Sequence, residues 1–205
     1  MLLSLDPDIL LAVETKLDGS VQSSEFLPPH FIPSRHDRKR DGGGVSIATR
    51  DNIIAEPLLE FDTDCELRWV EIHLDAAKTL IVGVFYRPPD SSTQCLHALN
   101  TSINNVRAKF PEAILMLGGD FNLPGTDWSY PWLTSHPNLE KLTASSYKAI
   151  VRPKLEYCYP ISGIHASKSM WTSWKWFSVK LRDSSKVYLI GAPNQLLQCL
   201  LWSAT

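Results

Sequence analysis

Apolar positions in this chain gather into short runs, each stopping at a polar group. Ile9-Leu10-Leu11-Ala12-Val13 stops at Glu14, Ile81-Val82-Gly83-Val84-Phe85 at Tyr86 and Arg87, and Ile114-Leu115-Met116-Leu117 at Gly118-Gly119-Asp120-Phe121-Asn122. Runs of this length with polar or glycine boundaries read as strands buried on both faces. Strands are predicted over residues 9–14, 44–49, 67–74, 79–86 and 113–118. Leu96, Leu99, Ile103 and Val106 lie at i, i+3, i+7 and i+10, which predicts an amphipathic helix between Ser92 and Phe110. Ser91 or Ser92 is available as its N-cap, and Pro111 closes it. Gly42-Gly43-Gly44 reads as a tight turn leading into a strand, because no helix follows to make it a phosphate cradle.

The residues just beyond a strand's carboxyl end sit at a sheet rim, where open α/β folds place ligands. Asp120 and Asn122, at i and i+2, project to one side of an extended segment, so a carboxylate and an amide can converge on a metal-bound phosphate. An Asx-rich turn is the competing reading of the same pair. Glu14 alone reads equally as a solvated carboxylate, and Tyr86 as an aromatic cap on the core. Three strands that each deliver a polar group at one end fit a hard cation such as Mg2+, which takes one or two carboxylates, waters and phosphate oxygens.

Composition narrows the class. The 205 residues are 44% hydrophobic and 20% charged, enough for one globular domain with a sizeable core. Cys65, Cys95, Cys158 and Cys199 are far apart in sequence and form neither a zinc pattern nor a disulfide framework, so a reducing compartment is expected. No apolar run approaches the roughly 18 residues of a membrane span, and the amino terminus lacks a signal-peptide pattern. An intracellular chain with no membrane partner is expected. The overall charge of −2 hides an asymmetry: residues 1–130 carry 11 Lys+Arg against 19 Asp+Glu, and residues 131–205 carry 9 against 3. Five of the seven tryptophans also lie in the second stretch, at Trp132, Trp171, Trp174, Trp176 and Trp202.

Five motifs occur in a fixed order: Glu14-Thr15 after a strand, Gly42-Gly43-Gly44-Val45-Ser46-Ile47, Leu67-Arg68-Trp69-Val70-Glu71-Ile72, Val84-Phe85-Tyr86-Arg87-Pro88-Pro89 and Gly119-Asp120-Phe121-Asn122-Leu123-Pro124. Over residues 1–130 this succession resembles the endonuclease/exonuclease/phosphatase superfamily, and its wording is similar to the endonuclease domain of non-LTR, LINE-like retrotransposons. The resemblance implies a two-sheet α/β sandwich that nicks DNA with Mg2+ or Mn2+. It further implies Glu14 as the metal ligand, Tyr86 on the scissile phosphate, Asp120 orienting or activating water, and Asn122 steadying the phosphate or oxyanion. A basic loop, Arg38-Lys39-Arg40, and Arg87 are candidate contacts to the DNA backbone, with a solvated charged turn as the alternative for the loop.

Departures from the family pattern set further expectations. Met1-Leu2-Leu3-Ser4-Leu5 runs straight into Asp6-Pro7-Asp8, so the family's first strand carrying asparagine, with its helix, is expected to be missing, and no Ser-Asp-His triplet occurs in the 205 residues. None of His30, His36, His73, His97, His136 and His165 is flanked by aspartate in the expected order. Losing that histidine and its partner removes acid–base terms worth roughly 10² to 10⁴-fold in rate, so little or no turnover is expected. A missing first strand predicts a sheet with an unpaired edge and a marginal, aggregation-prone fold.

Residues 145–160 are similar to a segment found downstream of the catalytic palm in retroelement reverse transcriptases. The expected organisation is therefore a partial endonuclease domain over 1–130, a junction over 131–165, and a basic, tryptophan-rich tail of irregular structure over 166–205. The tail reads either as a nucleic-acid binder, lysines on phosphates and indoles on bases, or as unselected sequence. Three functional readings follow: a Mg2+-dependent DNA endonuclease, a non-catalytic nucleic-acid-binding protein, and a retroelement relic. Work on chromosomal DNA implies nuclear residence, with residues 35–40 as a basic address diluted by Asp37 and Asp41.

Overall fold

The computed structural model describes residues 7–39, 41–74 and 78–123, and the backbone of three strands between 175 and 202. In chain order the described strands are β1 (Ile9–Val13), β2 (Phe31–His36), β3 (Val45–Arg50), β4 (Ala55–Pro57), β5 (Glu66–His73), β6 (Thr79–Tyr86), β7 (Ile114–Asp120), β8 (Lys175–Leu181), β9 (Val187–Ile190) and β10 (Gln198–Trp202). A helix, α1 (Gln94–Lys109), connects β6 to β7. One sheet has the order β2-β3-β1-β8-β9 and the other β10-β7-β6-β5-β4. Every pairing is antiparallel except β6 with β7, which α1 makes parallel by crossing over.

The result is the expected two-sheet α/β sandwich, and its layers explain the apolar runs. On β6, Leu80, Val82, Val84 and Tyr86 join Val70, Ile72 and Met116 against Ile9, Leu11, Val13, Val45 and Ile47 of the other sheet. Ile81 and Phe85, with Leu67, Trp69, Leu115 and Leu117, instead pack under Leu96, Leu99, Ile103 and Val106 of α1. Strands β5 to β7 are thus covered on both faces, so neither parity can be polar over most of their length.

Three expectations are revised. Neither serine caps α1. Thr93 is its N-cap residue and makes no side-chain capping bond. Ser91 Oγ donates to Pro88 O at 2.8 Å, and Ser91 O accepts Arg87 Nη2 at 2.7 Å, so that residue is engaged in the preceding turn. Second, β1 has no unpaired edge: β3 flanks it on one side and β8 on the other, from Ile9↔Val179 to Val13↔Lys175. Third, the stretch read as an irregular tail contributes β8, β9 and β10. In sequence, Phe177, Val179 and Leu181 alternate with Trp176, Ser178 and Lys180, the period-2 pattern of a strand.

One contact ties the helix to the sheet. Trp69 lies over Gly83, where an added Cβ would fall 2.3 Å from its Cζ3 atom. Its Nε1 donates to Ser102 Oγ of α1 at 2.9 Å, and Ser102 Oγ donates to Phe61 O at 2.7 Å. Gly83→Ala is expected to overpack this contact at a cost of about 1–3 kcal/mol. At roughly 2–4 °C per kcal/mol for a chain of this size, Tm falls by about 2–12 °C. An unchanged Tm in thermal denaturation would contradict the packing described.

Candidate active site

β1 and β6, and β7 beside β6, deliver their carboxyl ends to one rim, where β5 begins. The hairpin register places Glu66 opposite Tyr86, and the parallel register places Tyr86 opposite Asp120. That last pairing requires glycine one step earlier: a Cβ on Gly119 would sit 1.8 Å from Phe85 O. The ladder then runs one bond further, with Arg87 N donating to Asp120 O at 2.9 Å.

Glu14 follows β1 directly and adopts a left-handed backbone, φ 54°. Asn122 does the same at φ 43°. Non-glycine residues pay roughly 1–3 kcal/mol each for such conformations, which persist where neighbours over-determine them. Around Glu14 those neighbours are the glycine turn: Thr15 N donates to Gly44 O at 3.1 Å and Lys16 N to Gly43 O at 2.8 Å. Around Asn122 they are Asp120 and Arg87. Asn122 N donates to Asp120 Oδ1 at 3.1 Å, its Nδ2 donates to Arg87 O at 2.6 Å, and Arg87 Nη1 donates to Asn122 O at 2.8 Å.

Tyr86 is the hub. Its hydroxyl hydrogen-bonds with Glu14, and it lies in the field of Glu14, Glu66 and Asp120. Burial, foremost, and then the Glu14 contact and these negative charges push the phenol well above its usual range. The hydroxyl is therefore a neutral donor throughout the physiological range. Asp120 is 7% exposed, its backbone and side chain fixed by the bonds already described.

Of the residues anticipated from sequence, Glu14, Tyr86 and Asp120 come together at this rim, with Asn122 just beyond in the chain. Arg87 is turned inward, its guanidinium held by Asn122 O and Ser91 O, so it braces the Asp120–Asn122 loop. Arg38 pairs with Glu66, Lys39 is exposed, and Arg40 lies outside the described residues. His36 Nδ1 is 3.1 Å from Leu67 O, and His30 pairs with Asp51 on the surface. His136, His165 and the whole 145–160 segment fall outside the described residues.

Glu66 was not anticipated. Its signal was present: in a hairpin, the first residue of β5 must lie beside the last of β6, so a carboxylate opening the Leu67–Ile72 run belongs at the same rim as Tyr86.

Among the described residues no group of three or more His, Cys, Asp or Glu forms a ready-made metal cage. The donor set suits a cation that needs only one or two carboxylates and keeps its waters.

The sequence profile of the endonuclease/exonuclease/phosphatase family matches residues 1–183. The chain belongs to that family. Among solved structures, this family member is similar to the endonuclease domain of TRAS1, a telomere-specific non-LTR retrotransposon. The TM-score is 0.51 and the identity 16%, over 69% of this chain and 59% of that one. A truncated Caenorhabditis elegans TDP2 gives TM-score 0.45 at 14% identity over 61% and 53%, and the human Nocturnin catalytic domain 0.45 at 13% over 60% and 54%. The chain thus spans between half and three-fifths of these structures, and at such identities the likeness concerns the fold. No curated protein matches.

Difference titration of wild type against Tyr86→Phe by ultraviolet absorbance is expected to place Tyr86 ionisation above the ordinary phenol value of about 10. Glu14→Gln, which removes a charge and leaves the burial, should lower it part-way. Ionisation at the ordinary position in wild type would show that Tyr86 is not buried against the carboxylates.

Proposed function

We propose that this chain is a divalent-metal-dependent DNA endonuclease of retroelement type, hydrolysing a phosphodiester bond at a low rate. The observation that carries the reading is the gathering of Glu14, Glu66 and Asp120 beside Tyr86 at one rim, where Glu14 and Asn122 are held in left-handed backbone. Glu14 holds the metal, Mg2+ or Mn2+, which when bound polarises a phosphoryl oxygen and offsets developing charge. Tyr86, a neutral donor, re-aims its single hydroxyl proton from Glu14 to a non-bridging phosphate oxygen when substrate binds. Asp120, with Oδ1 already accepting from Asn122 N, orients the attacking water through its remaining lone pairs. Asn122 steadies the phosphate as charge builds on it.

Retroelement ancestry rests on the ordered sequence motifs and is supported by the fold shared with the TRAS1 domain. The similarity of residues 145–160 to a reverse-transcriptase segment fits the same origin. The low rate follows from the absence of a Ser-Asp-His triplet in these 205 residues. Among the described residues no helix is long and apolar enough to cross a membrane. Action on chromosomal DNA places the protein in the nucleus. The excess of Lys and Arg over Asp and Glu in residues 131–205 favours a second reading, a non-catalytic nucleic-acid-binding protein.

Supercoiled plasmid separates the two. Slow nicking with Mg2+ that EDTA stops and Asp120→Ala abolishes is the expected result. Salt-dependent binding of DNA by folded protein, without nicking, would overturn the endonuclease and leave the binder.

A further inference from the structure

The Glu66 carboxylate, counted above only for its charge beside Tyr86, also has a structural place in the fold. It is 7% exposed, and both oxygens are engaged: Oε2 accepts Gly44 N at 2.5 Å, and Oε1 accepts Arg38 Nη1 at 2.7 Å. A buried carboxylate is tolerated only when paired and hydrogen-bonded in this way. The partner's side chain is 53% exposed, so the charge is balanced from the solvent side. Space for the carboxylate exists because the turn lacks side chains: a Cβ on Gly43 would lie 2.6 Å from Oε1 and 2.7 Å from Oε2.

The same turn carries the two carbonyls that accept Thr15 N and Lys16 N. Those bonds lie between the two strained residues, Glu14, φ 54°, and Lys16, φ 51°. The connection therefore runs from Glu66 to the Gly43–Gly44 turn, from the turn to the Thr15 and Lys16 amides, and from these to the backbone that aims Glu14 at Tyr86.

We infer that Glu66 is a positioning residue for Glu14, acting through the reach of its carboxylate to the Gly43–Gly44 turn. Its charge is not what matters. It neither ligates the metal nor touches substrate; it holds the turn against which the Glu14 backbone is set. The inference rests on the reading of Glu14 as the metal ligand for its functional meaning, although its structural content stands apart from that reading.

Two substitutions separate reach from charge. Glu66→Gln keeps the length and an acceptor for Gly44 N but loses the charge; Glu66→Asp keeps the charge but is one methylene short. The first measurement is amide hydrogen exchange at Thr15 and Lys16 in the metal-free protein, with amides of α1 as the internal reference. Glu66→Asp is expected to speed exchange at both positions by about tenfold or more while α1 is unchanged, and Glu66→Gln to stay within about threefold of wild type. Fast exchange in Glu66→Gln with slow exchange in Glu66→Asp would overturn the inference, as would equal acceleration of α1 or no change in either variant.

The second measurement is Mn2+ binding by electron paramagnetic resonance, without DNA. Affinity should fall by roughly 10 to 100-fold in Glu66→Asp, the range typical of residues that orient a metal ligand, and change little in Glu66→Gln. Full affinity in Glu66→Asp, with loss in Glu14→Gln, would overturn the positioning role. Mn2+ affinity in wild type no better than in Glu14→Gln would instead sink the metal reading of Glu14, while the exchange data still decide what Glu66 does.

Discussion

The parallel pairing of β6 with β7 is the constraint on which the rest of the molecule depends. Parallel neighbours cannot be joined by a tight turn, so the chain must leave the sheet and return, and α1 is the return path. The helix then has to be seated, and the Trp69–Ser102–Phe61 contact and the apolar face of the second sheet do that. At the far end, the register sets Tyr86 beside Asp120, and a glycine at position 119 lets the backbones meet. Side-chain packing on one face of the sheet and the grouping of polar residues at its rim are thus consequences of one pairing.

Much of this was legible in sequence, for a definite physical reason. Strands β1, β3, β5, β6 and β7 lie where apolar runs placed them because burial on both faces leaves few polar residues to break the pattern. Leu96, Leu99, Ile103 and Val106 were legible as a helix because that helix has one wet face. β2 and β4 were not: Phe31–His36 and Ala55–Pro57 occupy sheet edges, where burial is partial and the pattern fades. At the site, Glu14, Tyr86, Asp120 and Asn122 stood out as polar groups at strand ends. Glu66 did not, since a strand's first residue signals nothing until its partner strand is known. Nor could the inward turn of Arg87 be read from a Tyr-Arg-Pro-Pro motif, because it depends on where Asn122 O and Ser91 O lie in three dimensions.

The rim also shows how a small site manages charge and strain together. Three carboxylates face one phenol, and left alone they would repel. Arg38 offsets one of them, Tyr86 shares its hydrogen with another, and the third accepts a backbone amide. The strained residues, Glu14 and Asn122, sit just after strands whose own ladders are complete, so rigid sheet stands behind each. Glycines 43, 44 and 119 supply the close approaches that residues with side chains could not.

The edge strand β2 carries a different kind of information. Asp51 N donates to His30 O and Arg50 N to Asp8 O, so the backbone N–H and C=O groups of the even-numbered residues of β2 point to β3 and those of the odd-numbered residues point to the open edge. Pro33 is odd-numbered, and it offers an arriving strand no amide hydrogen. Two residues on, Arg35 O is already taken by Arg68 Nη2 at 2.6 Å. An unpaired edge is the usual template on which copies of a β protein polymerise. Here that template is interrupted at two successive outward positions, which makes β2 a poor edge for adding a further strand.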